Sequence, residues 1–567
     1  MPPTLVWYRR DLRTQDHAPL QQACMRGPVI PVFVLDDALL FHPETAVARV
    51  DFLLHSLRAL DARLRVLGGR LIVLRGQPDV VLTRLAQSTG ARHVLAHTDS
   101  ERLVGRVRDA RVSRALQDQG VALEWIEPAG ASASLQPYSD WNRQWHGAMA
   151  APLVPEPKRV VVPPASEHCP DAPIPNLAAL GLISDGKPIP EAGSGAALQR
   201  LERFLEGSDS RTYYWELSYP SARVTSGLSP YLKFGVISPR QCLQRLTAAA
   251  QRARENSDRS RLRSIQQLFS RIRWGCSIHQ RFRYLPQLEL RSLWNAFDQD
   301  TPLSDRQTEL YEAWKEGQTG FPIVDAAANC LRGGGGWLEL NFRSRAIYAS
   351  FLSNLCGIDW RYGALHFMRH LIDGDCPIDH YQWAMQAGAT YRGSKAWTRI
   401  YHPGQVAVNR CDPHGLFIRR WLPELERLTN DQLGEPPAFA DYPAPVLNYE
   451  EARLARVEAL SNTRHGIGAI PMALARLPED LTPFGSDQIA GSQVLWAKEH
   501  SPELYPEAID LDRLDRDGWM ALLSWFSLRR SAETGEEGDS EPRRPRQGKR
   551  PSRRSKTADG QLSLDFS

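Results

Sequence analysis

The sequence of 567 residues has few cysteines, no long apolar run and no glycine-rich dinucleotide motif after its first strand. Its eight cysteines are scattered singly, without a Cys-x-x-Cys pair or a Cys/His ligand spacing. This pattern indicates neither a zinc site nor a disulfide framework. No apolar run approaches the roughly 18 residues of a membrane span. We therefore expect no metal site, no membrane partner and a reduced, cytoplasmic setting.

The composition allows large buried cores, because 42% of the residues are hydrophobic. The net charge of +4 is compatible with a nucleic-acid partner but does not require one. The chain starts with a short apolar run followed at once by charges, which is typical of a buried strand and a turn rather than of a signal peptide. Sixteen tryptophans and sixteen tyrosines supply stacking surfaces for bases or a flat cofactor.

Residues 1–128 alternate between short β-rich runs and helical patterns. Leucines from Leu53 to Leu67 recur at helical spacing between the second and third runs. The runs are TLVWYR, PVIPVFVLD, RLIVLR, RHVLAH and VALEWI. Alternation of strands and helices predicts an α/β domain with a doubly wound parallel sheet. The missing G-x-G-x-x-G argues against a dinucleotide site of that type.

The rest of the chain divides by composition. Residues 129–195 are rich in Pro, Ala and Ser, which predicts a surface linker with short pieces of structure. Residues 196–475 carry apolar side chains at spacings of three and four, which predicts a larger all-α domain. Residues 476–530 form a less readable helical extension. Residues 531–567 are proline- and charge-rich, and we expect a disordered basic tail ending in QLSLDF.

Three hydroxyl residues surround a glycine in the segment VTSGLSPYLKFG. Thr225, Ser226 and Ser229 flank Gly227 just before an apolar helical run. Hydroxyls and backbone N–H groups at the start of a helix bind phosphates. Ordinary helix capping uses the same residue types. The segment by itself therefore leaves an anion site and a simple cap as alternatives.

Further segments accompany this one in a fixed order. They are TGFPIVDA, DWRYG, DGD and FIRRWLPEL, spread between residues 319 and 425. Together with the α/β half, they resemble the DNA photolyase/cryptochrome flavoprotein family over roughly residues 3–450. The resemblance implies FAD as the cofactor, damaged DNA as the partner and blue-light-driven repair of pyrimidine photoproducts, a carbon–carbon lyase reaction. It also implies an antenna chromophore, a folate or a deazaflavin, and a monomer.

The resemblance assigns a cofactor-binding set to this chain. In the family, the hydroxyl segment holds the FAD diphosphate, and an arginine–aspartate pair matching Arg345 and Asp373 lies beside the isoalloxazine ring. For the residue facing flavin N5, both Asp379 and His380 are candidates, because this segment is about two residues shorter than in the family. The implied set is Tyr213, Thr225, Ser226, Gly227, Leu228, Ser229, Arg271, Arg345, Asp373, Asp375 and Asp379.

Some positions depart from the family pattern. Gln267 stands where cyclobutane-dimer photolyases carry a lesion-contacting glutamate, and Ser270 stands where they carry a tryptophan. Members that act on the (6-4) photoproduct carry glutamine there, so the lesion type stays open. A cryptochrome photoreceptor without repair activity is the alternative, and a DNA-binding flavoprotein without photochemistry is a third class. The implied catalytic residues are Gln267, Trp383, Trp360 and Asn341.

The resemblance also implies DNA contacts and an electron-transfer chain. Trp274, Arg343 and Trp397 are the expected DNA-contacting residues, although an exposed helix-end arginine explains Arg343 equally well. Trp360 matches the middle member of the family's tryptophan chain. Either Tyr381 or Trp383 is the proximal member. The distal position falls near Ser304, which leaves Trp294 or Trp314 as replacements.

The last residues form a motif of their own. QLSLDF resembles the short motif with which bacterial replication and repair proteins bind the sliding clamp, and a flexible tether raises its local concentration there. A frayed end without a partner is the alternative. Clamp binding implies a bacterial, nucleoid-associated cytoplasmic protein. The residues that would contact the clamp are Gln561, Leu562, Leu564 and Phe566.

Overall fold

The computed structural model describes most of the chain and defines its two halves. It covers residues 1–100, 102–164, 169–290, 292, 295–299, 301–390, 399–438, 442–466 and 515–525. The first half is an α/β domain built on a parallel sheet, and the second is a larger helical domain. The predicted tail with its QLSLDF motif lies outside the described residues.

The sheet has five parallel strands in the order β3-β2-β1-β4-β5. Thr4 of β1 lies opposite Val29 on one side and His93 on the other, so the chain crosses over at the central strand. Every residue of β1 and β2 is buried, as expected for strands covered by helices on both faces. The five predicted β-rich runs are confirmed as β1 (Thr4–Tyr8), β2 (Val29–Leu35), β3 (Ile72–Arg75), β4 (His93–His97) and β5 (Ala122–Ile126).

Helices connect these strands. The predicted leucine-rich helix is α3, and Leu54, Leu57 and Leu60 on it are buried against the core. The helices of this domain are α1 (Ala18–Arg26), α2 (Asp37–Leu40), α3 (Val47–Val66), α4 (Pro78–Thr89) and α5 (Leu103–Asp118).

The stretch from 129 to 195 holds more structure than a surface linker. It contains α6 (Tyr138–Ala150), whose Trp141, Trp145 and Met149 are all buried. These side chains recur every four residues and so share one face of the helix. The Pro- and Ala-rich composition hid this face, because three large apolar residues are enough to anchor a short helix.

The residues from Ser194 onward that the structure describes fold as helices and loops. A further helix, Arg516–Ser524, packs on α6, where the Trp525 ring lies 5.1 Å from that of Trp141. The helices are α7 (Ser194–Glu206), α8 (Asp209–Glu216), α9 (Ser229–Lys233), α10 (Pro239–Glu255), α11 (Arg259–Tyr284), α12 (Asp305–Glu316), α13 (Pro322–Gly334), α14 (Phe342–Ser350), α15 (Trp360–His370), α16 (Cys376–Gln386), α17 (Gln405–Cys411), α18 (Leu416–Trp421), α19 (Tyr449–Gly466) and α20 (Arg516–Ser524).

The two domains meet through buried polar contacts. Arg49 on α3 donates from Nη1 to the carbonyls of Met368 (3.0 Å) and Leu371 (2.8 Å) in the helical domain. The approach is so close that a Cβ on Gly374 would lie 2.1 Å from Arg49 Nη1. A side chain at this position would therefore displace the Arg49 guanidinium from its hydrogen bonds across the domain contact. Among the described residues, no helix combines the length and hydropathy needed to cross a membrane.

Candidate cofactor and active site

A cavity of about 420 Å³ opens in the helical domain, within the size range of small-molecule sites. The hydroxyl segment before α9, one face of α11, the start of α14 and the first turns of α16 form its wall. The structure brings most predicted residues to this wall. They are Tyr213, Thr225, Ser226, Gly227, Leu228, Ser229, Arg271, Trp274, Asn341, Arg345, Asp373, Asp375, Asp379 and Trp383.

The hydroxyl segment does not act as an ordinary helix cap. Helix α9, which follows it, has only five residues and no side-chain hydrogen bond at its N-terminus. Gly227 has a positive φ of 62°, and a Cβ there would lie 2.1 Å from Nε of Arg200. Arg200 in turn donates to the Ser226 carbonyl at 3.0 Å, and Trp337 Nε1 donates to the Gly227 carbonyl at 3.2 Å. These contacts fix the loop while its hydroxyls stay on the cavity wall.

One face of α11 forms a second side of the cavity. Leu268, Arg271, Gly275 and His279 line it at spacings of three and four. Arg271 also hydrogen-bonds the buried Tyr213 side chain, which ties α11 to α8. His279 was missed by the sequence analysis, although its helical register with Arg271 is the pattern that would have found it.

Asn341 caps α14 and also faces the cavity. Its side-chain oxygen accepts from the backbone N–H groups of Arg343 (3.0 Å) and Ser344 (3.1 Å), which satisfies the helix start. Its Nδ2 is buried without a hydrogen-bond partner in the described part of the chain. A buried, unpaired amide donor is costly unless a ligand accepts from it.

Arg345 and Asp373 form the predicted pair. Arg345 Nη2 lies 3.2 Å from both carboxylate oxygens of Asp373. The same guanidinium is fixed by the carbonyls of Leu340 (2.8 Å) and Gly336 (3.1 Å). The pair thus presents a preorganised positive group to the cavity.

Asp375 is a buried carboxylate surrounded by an arginine, a lysine and a histidine. Its oxygens lie 2.8 Å from Nη1 of Arg10, 3.2 Å from Nε2 of His279 and 3.7 Å from Nζ of Lys233. Burial would raise its pKa, but His279, Lys233 and Arg10 hold the pKa well below its usual value. Lys233 lines the cavity and Arg10 comes from the α/β domain, and sequence reasoning found neither because both partners are distant in sequence.

The structure distinguishes between Asp379 and His380. Asp379 lines the cavity, and its Oδ2 is buried without a hydrogen-bond partner among the described residues. Burial raises the pKa of Asp379 to about 8, although His380 opposes the shift. His380 instead faces Glu44 of the α/β domain, with Nε2 at 3.1 Å from the carboxylate. Asp379 is therefore the acidic group that the wall offers to a ligand.

Aromatic side chains extend from the cavity into the core. The buried Trp383 ring lies on the wall and contacts the rings of Phe367 (4.8 Å) and Trp314 (6.1 Å) edge-on. Trp360 is buried away from the wall, with its ring 5.8 Å from His380 and its Nε1 donating to Ser292 Oγ. Of the two distal candidates, Trp314 contacts Trp383 and Trp294 lies outside the described residues.

Two other predicted residues, Gln267 and Arg343, are not on the wall. Gln267 directly precedes Leu268, the first residue of α11 that lines the cavity. With its amide oriented so that the oxygen faces Arg271, that oxygen accepts from the guanidinium at 3.2 Å. Arg343 donates to the Tyr401 hydroxyl at 3.2 Å and lies over the rings of Tyr401 and Phe342. Trp397 falls outside the described residues. Gln267 is not among the residues that line the cavity, so its contact with a lesion stays a prediction.

The donor set fits a large anionic cofactor with a polar ring. The cavity has hydroxyls and Lys233 for phosphate groups, a preorganised arginine, and two buried polar atoms, on Asn341 and Asp379, that lack protein partners. The fold and the site therefore define a two-domain protein with an α/β domain and a helical cofactor-binding domain.

Comparison with known proteins agrees with this class. Residues 4–128 match the family model described as DNA photolyase, and residues 268–462 match the one described as the FAD binding domain of DNA photolyase. A deoxyribodipyrimidine photo-lyase of Synechococcus sp. is 34% identical over 496 residues, which cover 83% of this chain and 99% of that protein. Cryptochrome-1 of Arabidopsis thaliana is 30% identical over 505 residues, which cover 81% of this chain and 70% of that protein.

A solved structure shows the same fold. The bacterial class III photolyase from Agrobacterium tumefaciens superposes with a TM-score of 0.68 and 27% identity, over 82% of this chain and 98% of that one. The chain belongs to the DNA photolyase/cryptochrome family.

Proposed function

We propose that the protein is an FAD-dependent DNA photolyase, a lyase that uses blue light to repair a pyrimidine photoproduct. The observation that carries the proposal is the single cavity in which the hydroxyl segment, the Arg345–Asp373 pair and the unpaired atoms of Asn341 and Asp379 meet. The match to deoxyribodipyrimidine photo-lyases over nearly their whole length supports the same activity.

Different cavity residues would bind different parts of the cofactor. The hydroxyls of Thr225, Ser226 and Ser229 would bind the diphosphate, together with nearby backbone N–H groups. Arg345 would stabilise negative charge on the ring system, and Asn341 Nδ2 would be available to donate to the cofactor. Bound FAD supplies the light-excited electron that opens the bonds between two pyrimidines and recovers it afterwards, so that the reaction has no net redox change.

The substrate has to leave the duplex to reach this cavity. A damaged, poorly stacked pair is flipped out at a cost of only a few kcal/mol. Trp274 on the wall offers a stacking surface, and Arg343 is available near the rim to contact a phosphate, with Tyr401 and Phe342 orienting it. Trp397 remains a predicted DNA contact.

A repair assay tests the proposal. Purified protein with reduced flavin is illuminated with blue light on two oligonucleotides, one with a cyclobutane dimer and one with a (6-4) photoproduct, with dark samples as controls. Light-dependent repair of either lesion is the expected result, and the lesion repaired shows what Gln267 selects. Repair of neither lesion by photoreducible protein would overturn the photolyase assignment.

A cryptochrome photoreceptor is the second candidate. The observation that favours it is Asp379 on the cavity wall, where most photolyases carry asparagine and plant cryptochromes carry aspartate. A pKa of about 8 keeps this acid largely protonated at neutral pH, so it can give a proton to a ligand. Photoreduction without repair would support this candidate over the first.

The remaining assignments concern partners and location. We propose that the C-terminal motif binds the bacterial sliding clamp and that the protein acts as a monomer at the nucleoid in the cytoplasm. A purified clamp should bind the full-length chain, and Phe566→Ala should abolish binding while Ser563→Ala leaves it unchanged. Equal binding by both variants would contradict the motif. A folate or deazaflavin antenna stays a prediction for the α/β domain, tested by the absorption of chromophore released from the protein.

A further inference from the structure

A buried charge pair joins the two domains directly behind the acid on the cavity wall. Glu44, in the loop between α2 and α3, places Oε1 3.1 Å from Nε2 of His380 on α16. Both side chains are buried. The neighbouring Asp379 holds its unpaired Oδ2 3.8 Å from Nδ1 of the same imidazole. A residue of the α/β domain is thus one side chain away from the cavity acid.

The contacts of His380 require both of its ring nitrogens to donate. Nδ1 faces the carbonyl oxygen of Cys376 at 3.1 Å, and Nε2 faces the carboxylate of Glu44. Both partners are acceptors, because Glu44 is held ionised by Arg102, whose Nη2 lies 2.5 Å from Oε2. A histidine between two acceptors satisfies both only as the imidazolium cation. His380 therefore carries a buried positive charge.

The surrounding cluster holds Glu44 in place. Arg102 also contacts Glu289 at 3.1 Å, and Arg49 Nη2 donates to the Glu44 carbonyl at 2.6 Å. Glu44, Cys376 and His380 together resemble a metal-ligand set, but the Arg102 guanidinium already neutralises the Glu44 carboxylate through Oε2. The cluster is thus organised for a charged imidazole rather than for a metal ion.

We propose that Glu44 and His380 form a positioning pair that sets the charge of Asp379, so that a contact from the α/β domain controls the acidity of the cavity wall. The inference rests on the proposed function only in placing the cofactor against this wall. Glu44 holds the proton on His380, and the imidazolium favours the ionised form of Asp379. Neither residue touches the cavity, so both act through Asp379.

The pKa shifts agree with this geometry. Burial would lower the pKa of His380, but Cys376 and Glu44 outweigh it and hold the pKa well above its usual value. Burial raises the pKa of Asp379 most, His380 is the largest influence that lowers it, and the Glu44 carboxylate raises it by a smaller amount than His380 lowers it. The other charged or titratable groups that face these residues are Arg345, Arg49, Arg102, Glu289, His42 and Cys376.

The test is an infrared titration of Asp379 in the full-length, flavin-loaded protein in the dark. The carboxylic acid band is identified by its loss in Asp379→Asn and followed from pH 5 to 9.5. In His380→Gln the acid dissociation constant of Asp379 should fall tenfold or more, because the nearby positive charge is gone. His366→Gln is the matched control, since His366 is buried on α15 and its pKa is held well below the usual value, which keeps it uncharged.

An unchanged midpoint in His380→Gln, or an equal shift in the control, would overturn the inference. A second variant keeps the test decisive if His380→Gln does not fold. In Glu44→Gln, nitrogen-15 resonances of selectively labelled histidine should show that the acid dissociation constant of His380 has risen at least tenfold. An imidazolium as persistent as in the unchanged protein would contradict the role of Glu44.

The same samples separate this inference from the photolyase assignment. If Asp379 titrates as expected but no lesion is repaired, the charge pair stands and the repair function falls. If repair occurs while the pKa of Asp379 is the same in His380→Gln as in the unchanged protein, the photolyase function stands and the charge pair is only structural.

Discussion

Asp375 and Asp379 lie one helical turn apart at the start of α16, and both are buried on the same cavity wall. Arg10, Lys233 and His279 surround Asp375 and hold its pKa well below the usual value. Asp379 has a single cation at 3.8 Å and an oxygen without a partner, and burial raises its pKa to about 8. Identical side chains thus become a permanent anion and a proton carrier because their neighbours differ.

Of the substitutions that test this comparison, Asp375→Asn should cause the largest loss in the free energy of unfolding. The change leaves Arg10, Lys233 and His279 without their shared anion at the domain interface. Removing one partner of a buried ion pair costs about 3–5 kcal/mol. Urea unfolding at pH 7 measures this loss. A loss below about 1 kcal/mol would mean that the cations find other partners.

Whereas Asp375→Asn should destabilise the protein, Asp379→Asn should become more stable relative to the unchanged protein as the pH rises. The folded pKa of about 8 lies above the unfolded value, so the folded protein binds the extra proton between pH 4 and 8. Stability then falls with rising pH across that window, by up to about 1.4 kcal/mol per pH unit. From pH 6 to 8 the variant should gain about 2 kcal/mol over the unchanged protein in the free energy of unfolding. A pH-independent difference would contradict a raised pKa.

Arg10→Gln sharpens the comparison by removing one cation from Asp375. Lys233 and His279 remain, so the carboxylate stays ionised, and we expect a loss of about 1–2 kcal/mol. The same urea experiment compares it with Asp375→Asn. Arg10 also pairs with Asp99 at 2.5 Å, so a loss as large as that of Asp375→Asn would mean that the Asp99 contact contributes most of it.

Glu309→Gln provides the smallest effect and the baseline. Glu309 pairs with Arg306 at 3.0 Å, but both side chains are more than 60% exposed. An exposed pair of this kind contributes less than about 1 kcal/mol. Unfolding of this variant under the same conditions checks that the larger losses come from burial and not from charge removal in general.

Much of the fold follows from local patterns. The five strands are readable because each is a short apolar run between helical segments, and Leu57, Leu60 and Leu64 of the predicted leucine face are buried on α3. Helix α6 escaped prediction because its three buried residues lie in a stretch whose composition suggests a linker. Local propensity is a weak guide where a few tertiary contacts decide.

In the candidate site, too, some residues could be predicted from the sequence and others could not. Residues in compact motifs, such as Thr225 to Ser229 and Asp373 to Asp379, could be assigned from resemblance and reach one cavity. The partners that set their charges could not. Arg10 is 365 residues from Asp375, and Glu44 is 336 residues from His380, so only the folded chain brings them together.

The close approach of Arg49 to Gly374 has a consequence for how such proteins change over time. A hybrid that took its first domain from one relative and its second from another would inherit a guanidinium and a glycine that had not been matched to each other. A side chain at residue 374 would displace the Arg49 guanidinium, and a shorter residue at 49 would remove its hydrogen bonds to the carbonyls of Met368 and Leu371. The two halves are therefore expected to be passed on as a unit rather than exchanged piecemeal.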